Sequence, residues 1–185
     1  KNHNLEQIKL TSNNKSLSSS KVLDLAPLKY LSNIFALEIT NHRIKNLGTL
    51  YRLQDLRLIN NQLNDLKQIK ALKALRYLRI NENNISDLTF LRTLDKLIWL
   101  YLNQNKINDI EAIKGLNLLR TIDLNDNNIS DISPIKELRG LIDLYLNNNN
   151  ISDISPIKEL RYIHTLSLNH NDITNIASIQ NLKYL

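Results

Sequence analysis

The chain has 185 residues, a formal net charge of +6 and 42% hydrophobic residues. It contains no Cys, which excludes disulfides and thiolate metal sites, and no run of about 18 apolar residues, which excludes a membrane-spanning helix. It starts at Lys1, holds no Met and shows no basic-then-apolar leader, so we read it as a mature or excised piece of a longer chain.

The predicted elements follow the string L-x-x-L-x-L-x-x-N-x-I/L. In chain order, Leu5, Ile8, Leu10 and Asn13 predict a first strand, and Asn14 to Lys21 carries about seven extra residues rich in Ser. That insertion, near 14–21, should protrude as a loop. Leu25, Leu28 and Leu31 match a back side, opened by Ala26-Pro27. A second strand over Ile34, Leu37 and Ile39 has His42 where the Asn belongs. The step from Ile34 to Leu53 falls three positions short of the regular period, a deletion that should tighten one convex turn. Residues 1–52 are therefore irregular N-terminal repeats. From Leu53 the 22-residue period is strict, marked by Asn61, Asn83, Asn105, Asn127, Asn149 and Asn171. We count about eight repeats in a single domain spanning 1–185. Leu185 falls where the first apolar residue of another repeat belongs, so a C-terminal cap is expected outside this sequence.

Fixed self-similarity at this period predicts an α/β solenoid. The x-L-x-L-x segment alternates apolar and polar with period two, as a strand with one buried face should, and stacked copies make a parallel concave sheet. Eight strands at about 4.8 Å each extend roughly 34 Å along the stack. The following apolar residues lie three apart, as in Ile107, Ile110, Ile113 and Leu116, which suits 3₁₀ turns or short helical pieces on the convex side. Ser133-Pro134 and Ser155-Pro156 suit helical starts, with Ser expected as the cap. One repeat points seven apolar side chains inward, too few to offset the ordering of its whole length, so stability must come from stacked neighbours.

The repeat Leu97, Leu100, Leu102, Asn105, Ile107 and its copies resemble the leucine-rich repeats of the 22-residue kind found in bacterial internalins and eukaryotic SDS22-like regulatory subunits. The I-S-D-I-S-P-I strings at Ile129 to Ile135 and Ile151 to Ile157 are particularly similar to internalin repeats. The resemblance implies a horseshoe that binds a protein ligand on its concave sheet and has no catalytic activity of its own. An internalin-like secreted or cell-surface protein is the favoured setting, with an intracellular SDS22-like regulatory or scaffold subunit as the alternative.

Other chemistry is poorly supported. The Asn ladder reads as structural, because an inward amide can pair both the N–H and the C=O groups that a turn leaves unpaired. Asp65, Asp87, Asp109, Asp131 and Asp153 recur once per turn and read as caps. Asp123-x-Asn125-x-Asn127 begins like a calcium loop, but Asn128 and Pro134 stand where Gly and Glu are required. Four N-x-S sequons, at Asn14, Asn84, Asn128 and Asn150, mostly restate one repeat position. His3, His42, His164 and His170 share no metal-ligand spacing, and His170 beside Asp172 reads as solvated. We expect no metal, no cofactor and no catalytic residues.

The residues that vary while the scaffold stays constant carry the functional reading. Positions three and five of each strand point away from the core. They bring Tyr77, Trp99, Tyr101 and Tyr145 to the middle of the concave face, with Arg57 and Arg79 on one side and Asp123 and Asp143 on the other. Trp, Tyr and Arg dominate interface energetics, so these eight residues are the expected partner-binding set. Residues 1–92 hold 15 Lys and Arg against 7 Asp and Glu, whereas residues 93–185 hold 9 against 11. That basic N-terminal half leaves nucleic acid as a further alternative. Acidic residues in the same concavity disfavour it.

Overall fold

The computed structural model describes residues 7–12, 22–31, 33–47, 50–61, 63, 66–180 and 182–185. The expected loop at 14–21, the first-copy Asn13 and the cap at Asp65 lie outside them. Among the described residues ten strands occur in chain order, each from β5 onward followed by a 3₁₀ turn: β1 Gln7–Thr11, β2 Val22–Asp24, β3 Ala36–Thr40, β4 Arg43–Lys45, β5 Asp55–Ile59, β6 Tyr77–Arg79, β7 Trp99–Tyr101, β8 Thr121–Asp123, β9 Asp143–Tyr145 and β10 Thr165–Ser167. Eight of them form one parallel sheet in the order β1-β3-β5-β6-β7-β8-β9-β10. Its register pairs equivalent repeat positions throughout: Tyr77 lies beside Trp99, Trp99 beside Thr121 and Thr121 beside Asp143.

That register follows from burial. A one-residue slip would turn every Leu from the core to the outside, and in the central repeat Leu97, Leu100, Leu102, Ile107, Ile110, Ile113 and Leu116 are all at most 3% exposed. The convex pieces are short 3₁₀ turns, such as Thr89–Thr93, Ser133–Glu137 and Ser155–Glu159. Apolar residues three apart favour them, since side chains at i and i+3 eclipse in a 3₁₀ turn and so share one face.

Three local details add to or correct the sequence expectation. First, β2 and β4 pair as a separate two-stranded parallel sheet at the point where the first two repeats leave the main sheet. Second, the shortened repeat ends in a single turn closed from the Leu53 N–H to the Leu50 carbonyl (3.0 Å), with no 3₁₀ helix among its described residues. Third, Ser133 and Ser155 are not the caps. Each is the first residue of its turn, and the Asp two positions earlier accepts its backbone N–H, at 2.7 Å for Asp131 and 2.8 Å for Asp153. Each Ser hydroxyl then donates to the other oxygen of the same carboxylate. Asp87 and Asp109 accept from Thr89 and Glu111 in the same way, so the recurring Asp does cap the convex turn, through an Asx turn.

The Asn ladder is the fastening between repeats. Asn127 Oδ1 accepts the Ile107 N–H of the preceding repeat (3.0 Å), and its Nδ2 donates to the carbonyls of Leu102 and Leu124 (3.1 Å each). Asn105, Asn149 and Asn171 make the same bonds in their own repeats. In the irregular copy Asn61 Oδ1 accepts the His42 N–H instead, and the His42 ring sits 2.8 Å from the Thr40 carbonyl. Truncating such a residue strands one buried N–H and at least one carbonyl, at about 1–3 kcal/mol each. Asn127→Ala is therefore expected to lower unfolding free energy by roughly 2–4 kcal/mol, read by urea denaturation. A change below about 0.5 kcal/mol would refute the fastening role.

Candidate functional site on the concave face

Positions three and five of adjacent strands alternate with core Leu residues, so their side chains stand side by side across the sheet. At the centre, Tyr77 meets Tyr101 with ring centroids 5.3 Å apart and Trp99 at 6.4 Å, both tilted. Arg57 lies over the Tyr77 ring at 4.5 Å, and Arg79 lies 4.6 Å from the Tyr101 ring and 5.9 Å from that of Tyr77. The result is an alternating row of guanidinium and phenol groups, with Trp99 alongside and still 40% exposed. Burial pushes the Tyr77 and Tyr101 hydroxyls above the usual phenol range, so both remain neutral donors in any physiological setting.

The structure separates the eight expected residues into two groups. Tyr77, Trp99, Tyr101, Arg57 and Arg79 are brought together. Tyr145 stands on β9, with Asp123 between it and Tyr101. Arg57 is engaged within its own strand: Nε and Nη2 donate to the two Asp55 oxygens at 3.0 and 2.8 Å, and Glu38 lies 4.0 Å away. Asp143 accepts the Thr121 hydroxyl at 3.0 Å. Asp123 accepts the Asn125 N–H at 3.1 Å, and desolvation raises its carboxyl above the usual range against the opposing pull of that hydrogen bond and of Arg79. Of the charged four, Arg79 alone has no hydrogen bond or ion pair among the described residues.

Around Arg79 lie features that the sequence reading passed over. Three buried polar side-chain atoms have no partner among the described residues: Arg79 Nε, Asn81 Oδ1 and Asn103 Oδ1. The two Asn belong to a second ladder at position seven, continued by Asn125, Asn147 and Asn169. Farther along, Asn125 Oδ1 accepts the Asn147 N–H (2.7 Å) and Asn147 Oδ1 accepts the Asn169 N–H (2.8 Å). At Asn103 that pattern fails because Asp123 takes the Asn125 N–H. At position eight the backbone is left-handed in every regular repeat. Asn60, Asp126, Asn148 and His170 suit this conformation, whereas Glu82 and Gln104, both at φ 56°, do not. The recurrence of Asn once per repeat at position seven was the available signal.

A family model for leucine-rich repeats, in two copies, matches residues 95–137. Among solved structures, internalin C2 of Listeria monocytogenes is 26% identical, with a TM-score of 0.84 over 97% of this chain and 77% of that one. In repeat and in fold the chain resembles the internalin-like leucine-rich repeat proteins. A second internalin from the same organism, inlF, is also 26% identical, with a TM-score of 0.58 over 85% of this chain and 61% of its own length. The ectodomain of the Arabidopsis thaliana receptor kinase GASSHO1/SCHENGEN3, solved in complex with CASPARIAN STRIP INTEGRITY FACTOR 2, shares the fold at 20% identity. Its TM-score is 0.77 over 97% of this chain but 23% of that one. No curated protein matches by sequence. Leucine-rich repeat domains are in general non-catalytic interaction modules, and among the described residues no group of three His, Asp or Glu side chains is arranged to hold a metal ion.

The strained turn and the buried carboxylate of this leucine-rich repeat face can each be tested through stability. Gln104→Asn places a residue that tolerates the left-handed region where Gln is strained. It is expected to raise unfolding free energy by about 0.5–1 kcal/mol, and a decrease in urea midpoint would refute that source of strain. Asp123 has a folded-state pKa above its unfolded value. Its favourable contribution is present at acid pH and is lost as pH rises through the folded value. Asp123→Asn keeps the acceptor for Asn125 and removes the charge, so melting temperature should rise at neutral pH and the gain should vanish in acid. An equal gain under both conditions would show that charge burial is not the cause.

Proposed function

We propose that this leucine-rich repeat protein is a non-catalytic recognition module whose concave face docks a partner protein on Tyr77, Trp99, Tyr101 and Arg79. The observation that carries the reading is the concentration of local cost at one place. The unpartnered Arg79 Nε, Asn81 Oδ1 and Asn103 Oδ1 and the strained Glu82 and Gln104 all belong to the two repeats whose strands carry Tyr77, Trp99 and Tyr101, at the end of those strands where Arg79 meets Tyr101. Each buried orphan costs about 1–3 kcal/mol, and strain of this kind gathers where function constrains a sequence. Cross-strand packing of aromatics contributes only about 0.2–1 kcal/mol a pair, which does not offset such costs. A partner that covers Trp99 and supplies groups to Arg79 does.

Arg57 supports the site from inside, since Asp55 and Glu38 already engage it and its guanidinium props the Tyr77 ring. Tyr145, Asp123 and Asp143 form the outer margin of the footprint. The internalin-like repeats favour a secreted or cell-surface setting over an intracellular regulatory one. Trp99→Ala and Tyr101→Ala are each expected to weaken partner capture by about 2 kcal/mol, roughly 30-fold, with melting temperature little changed. Undiminished capture by both variants would overturn the concave assignment.

A further inference from the structure

A solenoid with a 22-residue period sorts charge across its edges, and this arrangement is hidden when charge is counted along the chain. The chain returns to the sheet through five equivalent segments, 70–76, 92–98, 114–120, 136–142 and 158–164, which together hold 11 Lys and Arg against 3 Asp and Glu. It leaves the sheet through 82–89, 104–111, 126–133, 148–155 and 170–177, which hold 1 Lys against 8 Asp and Glu. One lateral edge of the stack is therefore strongly basic and the opposite edge strongly acidic.

The basic edge is ordered. Lys70, Arg92, Lys114, Lys136 and Lys158 occupy one position of successive repeats, four within the 3₁₀ turn and Lys114 just after it, are all exposed, and form a row because those turns stack on one another. Three positions on, Lys73, Arg139, Arg161 and Lys183 form a second exposed row, interrupted in two repeats by Asp95 and Asn117. Between the rows and the sheet, Arg120 lies flat against the edge, donating from Nη1 to the carbonyls of Gly140 (2.9 Å) and Leu119. A Cβ at residue 140 would collide with that guanidinium, so Gly140 keeps the place open. At the far end Lys158, Arg161 and Lys183 line a cavity of about 600 Å³ with Tyr162 and Tyr184, whose rings stack at 6.4 Å. The three carboxylates of these segments, Asp95, Glu137 and Glu159, leave a net excess of cations: Glu137 turns to Lys114 at 3.9 Å, as does Glu111 from the preceding segment at 3.4 Å, and Glu159 lines the cavity.

We propose that the basic edge binds a linear anionic polysaccharide, one bearing sulfate or phosphate along its length. An unbroken row with one cation per repeat, reinforced by a second, matches a ligand that repeats its own charge. Binding such a chain releases its condensed counterions, a gain that grows with each cation engaged. Single-stranded nucleic acid draws its affinity from aromatic platforms at successive bases, and here the exposed aromatics stand at the two ends, Tyr30 and Tyr51 at one and Tyr162 and Tyr184 at the other, with none in the described residues of the edge between them. The acidic edge of a second copy offers opposite charge, but exposed ion pairs are individually weak and screened by salt, too weak to hold two rigid stacks together. Trp99 directly follows one of these segments, and its N–H meets the Arg76 carbonyl of the preceding one (3.1 Å). Lys136 and Lys158 stand on 3₁₀ turns outside the set assigned to concave recognition, so substituting them tests this edge separately.

Heparin serves as the probe. Wild-type protein should bind immobilised heparin with an affinity that falls steeply with salt. Lys136→Glu/Lys158→Glu should weaken binding at least about tenfold and lower the salt slope by about two. Lys106→Glu, which reverses the one cation in the segments of the opposite edge, should change neither quantity. Circular dichroism melts check that the variants fold. Equal effects of the two substitutions would overturn the proposal, as would tighter binding of a single-stranded oligonucleotide of similar length. Self-association at low salt that the double reversal abolishes would assign the edge to a second copy instead.

Discussion

Every turn that leaves the sheet buries backbone amides it cannot pair itself, and each is paired by an Asn belonging to the next repeat. Ile107 gives its N–H to Asn127, Ile129 to Asn149 and Ile151 to Asn171. The same Asn side chains reach back to the carbonyls at the ends of the preceding strands. A repeat is thus chemically incomplete until its successor has folded against it. Stability in such an array is a sum of weak units and strong interfaces, and the Asn bonds supply the polar half of each interface while Leu and Ile supply the rest. These bonds hold only in one register, so they also determine which side chains face outward.

With the inner positions committed, chemistry is confined to the outward columns. In the C-terminal repeats even these are put to structural use, with Asn125 and Asn147 tying consecutive strands through their amide oxygens. Around β6 and β7 the same column no longer ties, Glu82 and Gln104 replace the residues that suit a left-handed backbone, and aromatics fill positions three and five. Each departure alone is minor. Together they form a patch that carries local costs absent from the C-terminal repeats, against which cross-strand aromatic packing returns about 0.2–1 kcal/mol a pair.

Much of this was legible in the sequence because a period is a statement about three-dimensional adjacency. Knowing that Tyr77, Trp99 and Tyr101 share a face required only the alternation of strand side chains, and the strict Asn spacing supplied the register. What escaped depends on side-chain geometry within a face. Asp55 and Arg57 are two positions apart on one strand, and their alternation predicts proximity but not that both Asp55 oxygens meet the guanidinium. The role given to Ser133 failed for a similar reason: Asp131 and Ser133 are both good caps, and the carboxylate, the stronger acceptor, takes the N–H. The pairing of β2 with β4 lay in repeats whose lengths break the period, where register could not be inferred.

The charge distribution shows how a linear reading can mislead in a repeat fold. Dividing the chain at its middle gives a basic end of the stack and a nearly neutral one, but it does not show how charge is sorted between the two edges. Folding the sequence at its repeat period assigns Lys136 and Lys158 to one edge and Asp131 and Asp153 to the other, although the members of each pair are close neighbours along the chain. The carboxylates of Asp87 and Asp153 are held below the usual range by backbone hydrogen bonds at the caps. Among the cations opposite, Arg120 and Lys114 have structural partners, whereas Lys136 and Lys158 stand exposed on 3₁₀ turns that close through backbone bonds such as Leu138 N–H to Ile135 carbonyl. A residue type that recurs at one position without serving the fold requires another cause, and a ligand extended along the stack supplies one that acts on every repeat alike.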